Sequence, residues 1–158
     1  MQPDDLSRAL SPKLGPKLLA VEPFERTAGK VVFDRSAALE TFRAMRDDLG
    51  FGHLSMIGGI DWVDRREVLY VLWSDAARQY VVLSTSVPAQ DPHVESATAV
   101  WPSANWHERE AWEFVDITFD HHPDLRHLLM PEGYAFHPLL RSFKLHEPES
   151  LEVKSRHV

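Results

Sequence analysis

The first four histidines after the stretch "NWHEREAWEFVD" (residues 105–116) are His121, His122, His127 and His137. Imidazoles mixed with carboxylates have the ligand chemistry for zinc, iron or manganese. They make His121, His122, His127 and His137 the candidate ligands of a small metalloenzyme. Their spacing argues the other way. No H-x-x-x-H pair puts two imidazoles on one helical face, and no H-E-x-x-H is present. Adjacent His121 and His122 point apart in most backbone conformations, and Pro123 stiffens the turn after them.

Other chemistries find less. The sequence has 0 cysteines, which excludes thiolate nucleophiles, disulfides and cysteine-held clusters on these residues. There is no G-x-S-x-G elbow, no G-x-x-x-x-G-K-[ST] loop and no G-x-G-x-x-G turn. Carboxylate pairs such as Glu108/Glu110 and Asp116/Asp120 are what an acidic surface supplies anyway. The expectation is a chain with no catalytic residue and no cofactor or metal of its own.

The segment 105–116 reads as a helix. Asn105 and Glu108 resemble a capping box, which would start it at Trp106. At about 100° per residue, Ala111, Trp112, Phe114 and Val115 form an apolar arc, with Arg109, Glu110 and Glu113 opposite. Two residues are out of place. Glu108 falls inside the apolar arc, either as a solvated first-turn cap or as a buried carboxylate with a fixed partner such as an arginine or a backbone amide. Trp106 falls among charges. Trp and Arg are enriched at interface centres, so Trp106 with Arg109 points to docking. Downstream, Asp124 can cap a short turn through Leu125, Leu128 and Leu129 that Pro131 ends, and "FHPLLRSF" (136–143) reads as an extended proline-stiffened ribbon.

These segments need a scaffold. At 158 residues, 44% apolar and 26% charged, the sequence suits one globular unit with a hydrophobic core. A net charge of −7 without like-charge blocks disfavours nucleic acid and anionic membrane as partners. "MQPDDLSRAL" lacks the order of a signal peptide, and no apolar run reaches the ~20 residues of a membrane helix. Residues 1–27 read as irregular, because Pro3, Pro12, Pro16 and Pro23 are spaced to prevent a long helix.

"GKVVFD" (29–34) reads as a strand. "SAALETFRAMRDDLG" reads as a helix capped by Ser36 and closed by Gly50. Residues 52–61, 66–73 and 78–87 form an antiparallel meander, with Leu54, Met56 and Ile60 on one side and Gly58–Gly59 marking a bulge or close packing. The fold class is therefore α+β: an antiparallel sheet with a helix packed on it, followed by a helical and extended proline-rich C-terminal segment. Seven of the 11 prolines lie from Pro88 onward. That divides the sequence into an α+β domain, 1–87, and a C-terminal extension, 88–158, carrying the docking segment.

The order of these motifs resembles the signature of the C subunit of proton-translocating NADH:quinone oxidoreductase, the thirty-kilodalton subunit family of respiratory complex I. Glu108-Arg109-Glu110, Ile117, His122-Pro123-Asp124-Leu125, Pro131-Glu132 and Pro138-Leu139 fall on it in register. Trp112-Glu113 stand where the family has Tyr-Asp, Val115-Asp116 replace its Phe-Gly, and Leu140 to Phe143 replace its Arg-Lys-Asp-Tyr. The resemblance implies a structural subunit without flavin, cluster or metal. It would pack against the large hydrogenase-like D subunit in the peripheral arm and be held by partners on the cytoplasmic side of the membrane. The resemblance also makes Trp106, Glu108, Arg109, Glu110, His122, Asp124, Arg126, Pro138, Leu139 and Arg141 the subunit-interface candidates. The equivalent subunit of a membrane-bound energy-converting hydrogenase, the metalloenzyme and an adaptor outside energy metabolism are the alternatives.

Overall fold

The computed structural model describes residues 1–144. The backbone runs through helix α1 (Pro3–Leu14), strands β1 (Leu18–Glu22) and β2 (Lys30–Phe33), helix α2 (Ala38–Arg43), and strands β3 (His53–Asp61), β4 (Arg65–Ser74), β5 (Gln79–Pro88) and β6 (His93–Glu95). Helix α3 (Ala104–Val115) and strand β7 (Thr118–Asp120) complete it. Among the described residues, five strands form a sheet in the order β1-β2-β5-β4-β3, and β6 and β7 form a separate parallel pair.

The meander β3-β4-β5 is antiparallel as expected, but β2 joins β5 in parallel, with Val31 opposite Leu83. The fold is α+β. The amino-terminal reading needs correction: residues 3–14 are helical and 18–22 form an edge strand. Pro3 occupies the first helical turn, where its missing N–H has no intrahelical partner to lose. Pro12 lies in the last turn, where it forfeits the one bond its nitrogen would have made to the Arg8 carbonyl. The compensating signal is Leu6, Leu10 and Leu14, one buried leucine per turn along one stripe.

Alternation along β4 turns Val68, Tyr70 and Leu72 inward, where they meet Val81 and Leu83 of β5 and Val31 and Phe33 of β2. Phe42 of α2 fills the space above them, its ring 6.0 Å from Phe33, 4.8 Å from Tyr70 and 5.6 Å from Trp101. The start of this helical stretch is capped by Asp34, whose carboxylate accepts from the Ser36 N–H, and not by Ser36. Beyond Arg43 the helix widens into a π-turn, Ala44–Asp48, and Gly50 supplies a positive φ of 73° just after it.

In β3 the irregularity lies between Leu54 and Met56. It shifts the phase, so Leu54 and Ile57 face inward while Met56 and Ile60 face out, which corrects the grouping of Leu54, Met56 and Ile60 on one side. Gly59 serves close packing: a Cβ there would sit 2.7 Å from Ile117 Cδ1 and 3.2 Å from Val115 Cβ. The end of α3 thus presses onto β3, and one continuous cluster of buried residues extends from Leu6 to Phe119.

Candidate subunit-docking site

Helix α3 begins at Ala104 after Ser103 and uses no side-chain cap, so Asn105 lies inside it and no capping box forms with Glu108. Glu108 instead is fully buried. One carboxylate oxygen accepts from Ser96 Oγ at 2.6 Å and the other from the Ala97 N–H at 2.6 Å, so the helix is pinned to the 3₁₀ turn at 97–99. Of the two readings of this residue, the buried carboxylate with a fixed partner holds. Burial pushes its pKa up to about 7, with the Ser96 and Ala97 hydrogen bonds working against that rise and the Glu95 charge adding to it.

The face carrying Arg109 and Glu113 is not the solvated one that periodicity suggests. Both are buried beneath residues 121–143, a ribbon that folds back over the helix. Arg109 donates from Nε to the Arg126 carbonyl (2.9 Å) and from Nη2 to the His127 carbonyl (2.6 Å). One turn later, the Glu113 carboxylate accepts from the N–H groups of Leu128 (3.2 Å), Leu129 (3.0 Å) and Met130 (2.8 Å), and from His127 Nδ1 (3.0 Å). Burial alone would raise the Glu113 pKa. These four donors more than offset it and hold the carboxyl below its usual value.

Two histidines complete the attachment. His122 accepts the Asp124 N–H at Nδ1 (3.0 Å), which leaves Nε2 protonated to donate to the Asn105 carbonyl (3.1 Å). Burial, aided by the Arg109 charge, lowers its pKa and favours that neutral form. His137 Nδ1 lies 3.1 and 3.0 Å from the Trp112 and Glu113 carbonyls at the end of α3, where a donor is favoured. The Leu139 N–H adds a backbone bond to the Phe114 carbonyl, and the Arg141 N–H reaches the Asp61 carboxylate at the end of β3.

Asp116 closes the helix in the left-handed conformation, with φ 56°. Its side chain takes the guanidinium of buried Arg66 at 3.0 Å, and Arg66 also reaches the Ala89 carbonyl.

The interface candidates therefore separate. Glu108, Arg109 and His122 bond within the protein itself. Trp106 is 61% exposed, its ring stacked over the Arg109 guanidinium at 5.2 Å, and Leu139 is 65% exposed. Glu110, Asp124, Arg126 and Arg141 are also exposed, with Asp124 and Arg126 paired at 2.9 Å, while Pro138 is half-buried. Sequence reasoning misses the role of Glu113, which holds the amides of residues 128–130. The signal that could find it is the four-residue step from Arg109 to Glu113, ahead of a short segment with no element of its own.

The four candidate metal ligands go to different partners: His121 to Glu95, His122 to Asn105, His127 to Glu113 and His137 to the end of α3. Among the described residues, no group of three or more His, Asp or Glu side chains could hold a metal ion. No helix among them is long and apolar enough to cross a membrane.

Residues 31–149 match the family described as respiratory-chain NADH dehydrogenase, 30 Kd subunit. The chain belongs to that family. One family relative, the NADH-quinone oxidoreductase C subunit of Salinispora tropica, is 35% identical over 80% of this chain and 58% of its own length, so the present sequence spans rather more than half of it. The NADH-quinone oxidoreductase C/D subunit of Serratia proteamaculans is 35% identical over 80% of this chain but only 20% of that longer protein.

Among solved structures, the trypsin-resistant fragment of Nqo5 superposes with a TM-score of 0.64 at 30% identity, covering 76% of this chain and 98% of the fragment. One polypeptide of the membrane-bound sulfane sulfur reductase, an archaeal respiratory membrane complex, shares the fold. Its TM-score is 0.77 at 14% identity, covering 90% of this chain and 85% of that one.

Proposed function

We propose that this family member is a non-redox structural subunit of the peripheral arm of a complex I-like NADH:quinone oxidoreductase. It packs against the large hydrogenase-like D subunit through the surface formed by α3 and the ribbon, and partners hold it on the cytoplasmic side of the membrane. In this reading residues 1–87 are the scaffold and 88–158 the docking extension. The observation that carries it is the pairing of a tightly fastened ribbon with uncovered apolar residues: Trp106 and Leu139 stay 61% and 65% exposed although α3 and the ribbon hold each other through many polar bonds. A segment already ordered before binding loses little entropy on docking. The C/D name of the Serratia relative supports the D subunit as the partner. Trp106 would contribute area beside the Arg109 charge, with Glu110, Asp124, Arg126 and Arg141 forming a polar rim. Glu108, Arg109 and His122 would contribute by positioning the ribbon, since the protein's own backbone occupies them.

The experiment is replacement of Trp106 and Leu139 together by Ala in the native host, followed by purification of the complex. Loss of the D subunit from the purified protein, with an unchanged melting temperature of the isolated chain, is expected. Retention of the D subunit at the normal ratio overturns the proposal. The subunits that co-purify with the unaltered protein separate the NADH-linked complex from its hydrogenase-like relative.

A further inference from the structure

The loop at 127–130 is held far more firmly than its size requires. Three consecutive N–H groups, at Leu128, Leu129 and Met130, converge on the Glu113 carboxylate at 3.2, 3.0 and 2.8 Å, and His127 Nδ1 joins them at 3.0 Å. On the preceding residues, Arg109 holds the carbonyls of Arg126 and His127. Arg109 and Glu113 are four residues apart on α3, so a buried cation and a buried anion grip the two sides of one short loop from adjacent turns. At its crest Leu129 is 63% exposed, and Trp106 lies over the same Arg109.

The hydrogen-bond pattern limits what can recognise this loop. Glu113 already takes the amides of residues 128–130, so the loop cannot lend them to an added strand or a bound anion. What it presents is a branched aliphatic side chain on a backbone whose conformation is set in advance, with Met130 and Pro131 following. A partner gains from such a feature through apolar contact in a cavity that excludes water.

We propose that Leu129 is the anchor of the docking surface, inserting into an apolar socket on the large hydrogenase-like subunit, and that Glu113 and Arg109 are the positioning residues that hold the anchor in its bound conformation. This rests on the docking reading above and adds the residue and the chemistry of the contact.

The test uses the full-length protein produced together with the large subunit of the same host. Affinity for that subunit and melting of the free protein are both measured. Leu129→Asp should weaken association by about tenfold or more, as removal of an interface anchor does, while melting stays unchanged. Leu129→Met, which restores a flexible apolar side chain, should bind within about threefold of the unaltered protein, given the tolerance of Leu-to-Met exchange. Leu129→Ala serves in place of the Asp variant if the latter melts early.

Glu113→Gln should weaken association while speeding hydrogen exchange at residues 128–130. Leu129→Met, with the clamp intact, should leave exchange there slow. Normal association by Leu129→Asp overturns the anchor. If the Trp106→Ala/Leu139→Ala protein fails to bind at the same time, the docking reading stands without it. If all these variants bind normally, both fall.

Discussion

Phe42 and Glu113 are both buried, one in the helix–sheet layer and one beneath the ribbon, yet they hold their surroundings in opposite ways. Phe42 touches the rings of Phe33, Tyr70 and Trp101, an arrangement stabilised by apolar burial and ring packing. Glu113 is surrounded by N–H groups that would be unpaired without it. The layer offers polar atoms few partners: among the described residues, the Tyr70 hydroxyl and Trp101 Nε1 are buried without a hydrogen-bond partner. The ribbon forms neither helix nor strand, and the backbone groups of its 126–130 stretch are held by Arg109 and Glu113 of α3. A segment too irregular to bond itself can be ordered by a helix that does the bonding for it.

Substitutions that remove one kind of support or the other sharpen this contrast. Phe42→Ala should have the largest effect, a loss of about 3–5 kcal/mol in urea unfolding of the isolated chain, because it leaves a cavity between α2 and the sheet. A loss below about 1 kcal/mol would mean that the layer is not held by packing at this point.

Glu108 belongs to the polar class but lies where the two regions meet, and its effect should depend on pH. Its folded pKa, about 7, is above the value of 4.5 for an unburied glutamate, so the folded protein binds the proton more tightly than the unfolded one. The stabilisation this gives is complete below about pH 4.5, declines as pH rises towards 7 and is absent above it, a swing of roughly 3 kcal/mol. Several carboxylates, among them Glu113 and Glu67, have lowered values and act in the reverse direction. The measurement is therefore the difference between Glu108→Gln and the unaltered protein: the advantage of the glutamine protein should grow between pH 5 and 7. A pH-independent difference would show that Glu108 does not titrate there.

Glu113→Ala leaves three backbone amides without acceptors, at a cost of roughly 1–3 kcal/mol that should appear locally, as proteolysis near 128–130 with the sheet intact. Global unfolding as severe as that of Phe42→Ala would erase the distinction between the regions. Asp34→Ala, which removes the cap ahead of α2, should cost about 1 kcal/mol in the same urea experiment, and no loss would mean that water replaces the cap.

Much of the layer is legible in the order of its residues because its signals are local. "REVLYVLW" and "RQYVVLSTSV" are strands by composition and spacing, and Gly50 marks where the helical stretch before it stops. The phase of β3 is not legible, since a one-residue irregularity after Leu54 leaves no mark that distinguishes it from the Gly58–Gly59 pair. The stretch from Met1 to Glu22 misleads because the number of prolines suggests disruption while their positions permit a helix. At the candidate docking segment, residue types and motif order point to the right family and helix. The polar face of that helix has the pattern of a solvated surface, and it meets residues 121–143 instead.

Composition, periodicity and motif order by themselves determined the α+β class, the α3 helix and membership of this complex I subunit family, since each depends on residues close in sequence or on their order. Only the tertiary structure decided that Arg109 and Glu113 face inward, that Glu108 is fastened to Ser96 and Ala97, and that Leu129 stands out from the loop that Arg109 and Glu113 support. The physical reason is that a charged side chain has the same sequence signature whether water or distant backbone satisfies it, and only the folded protein shows which of them is near.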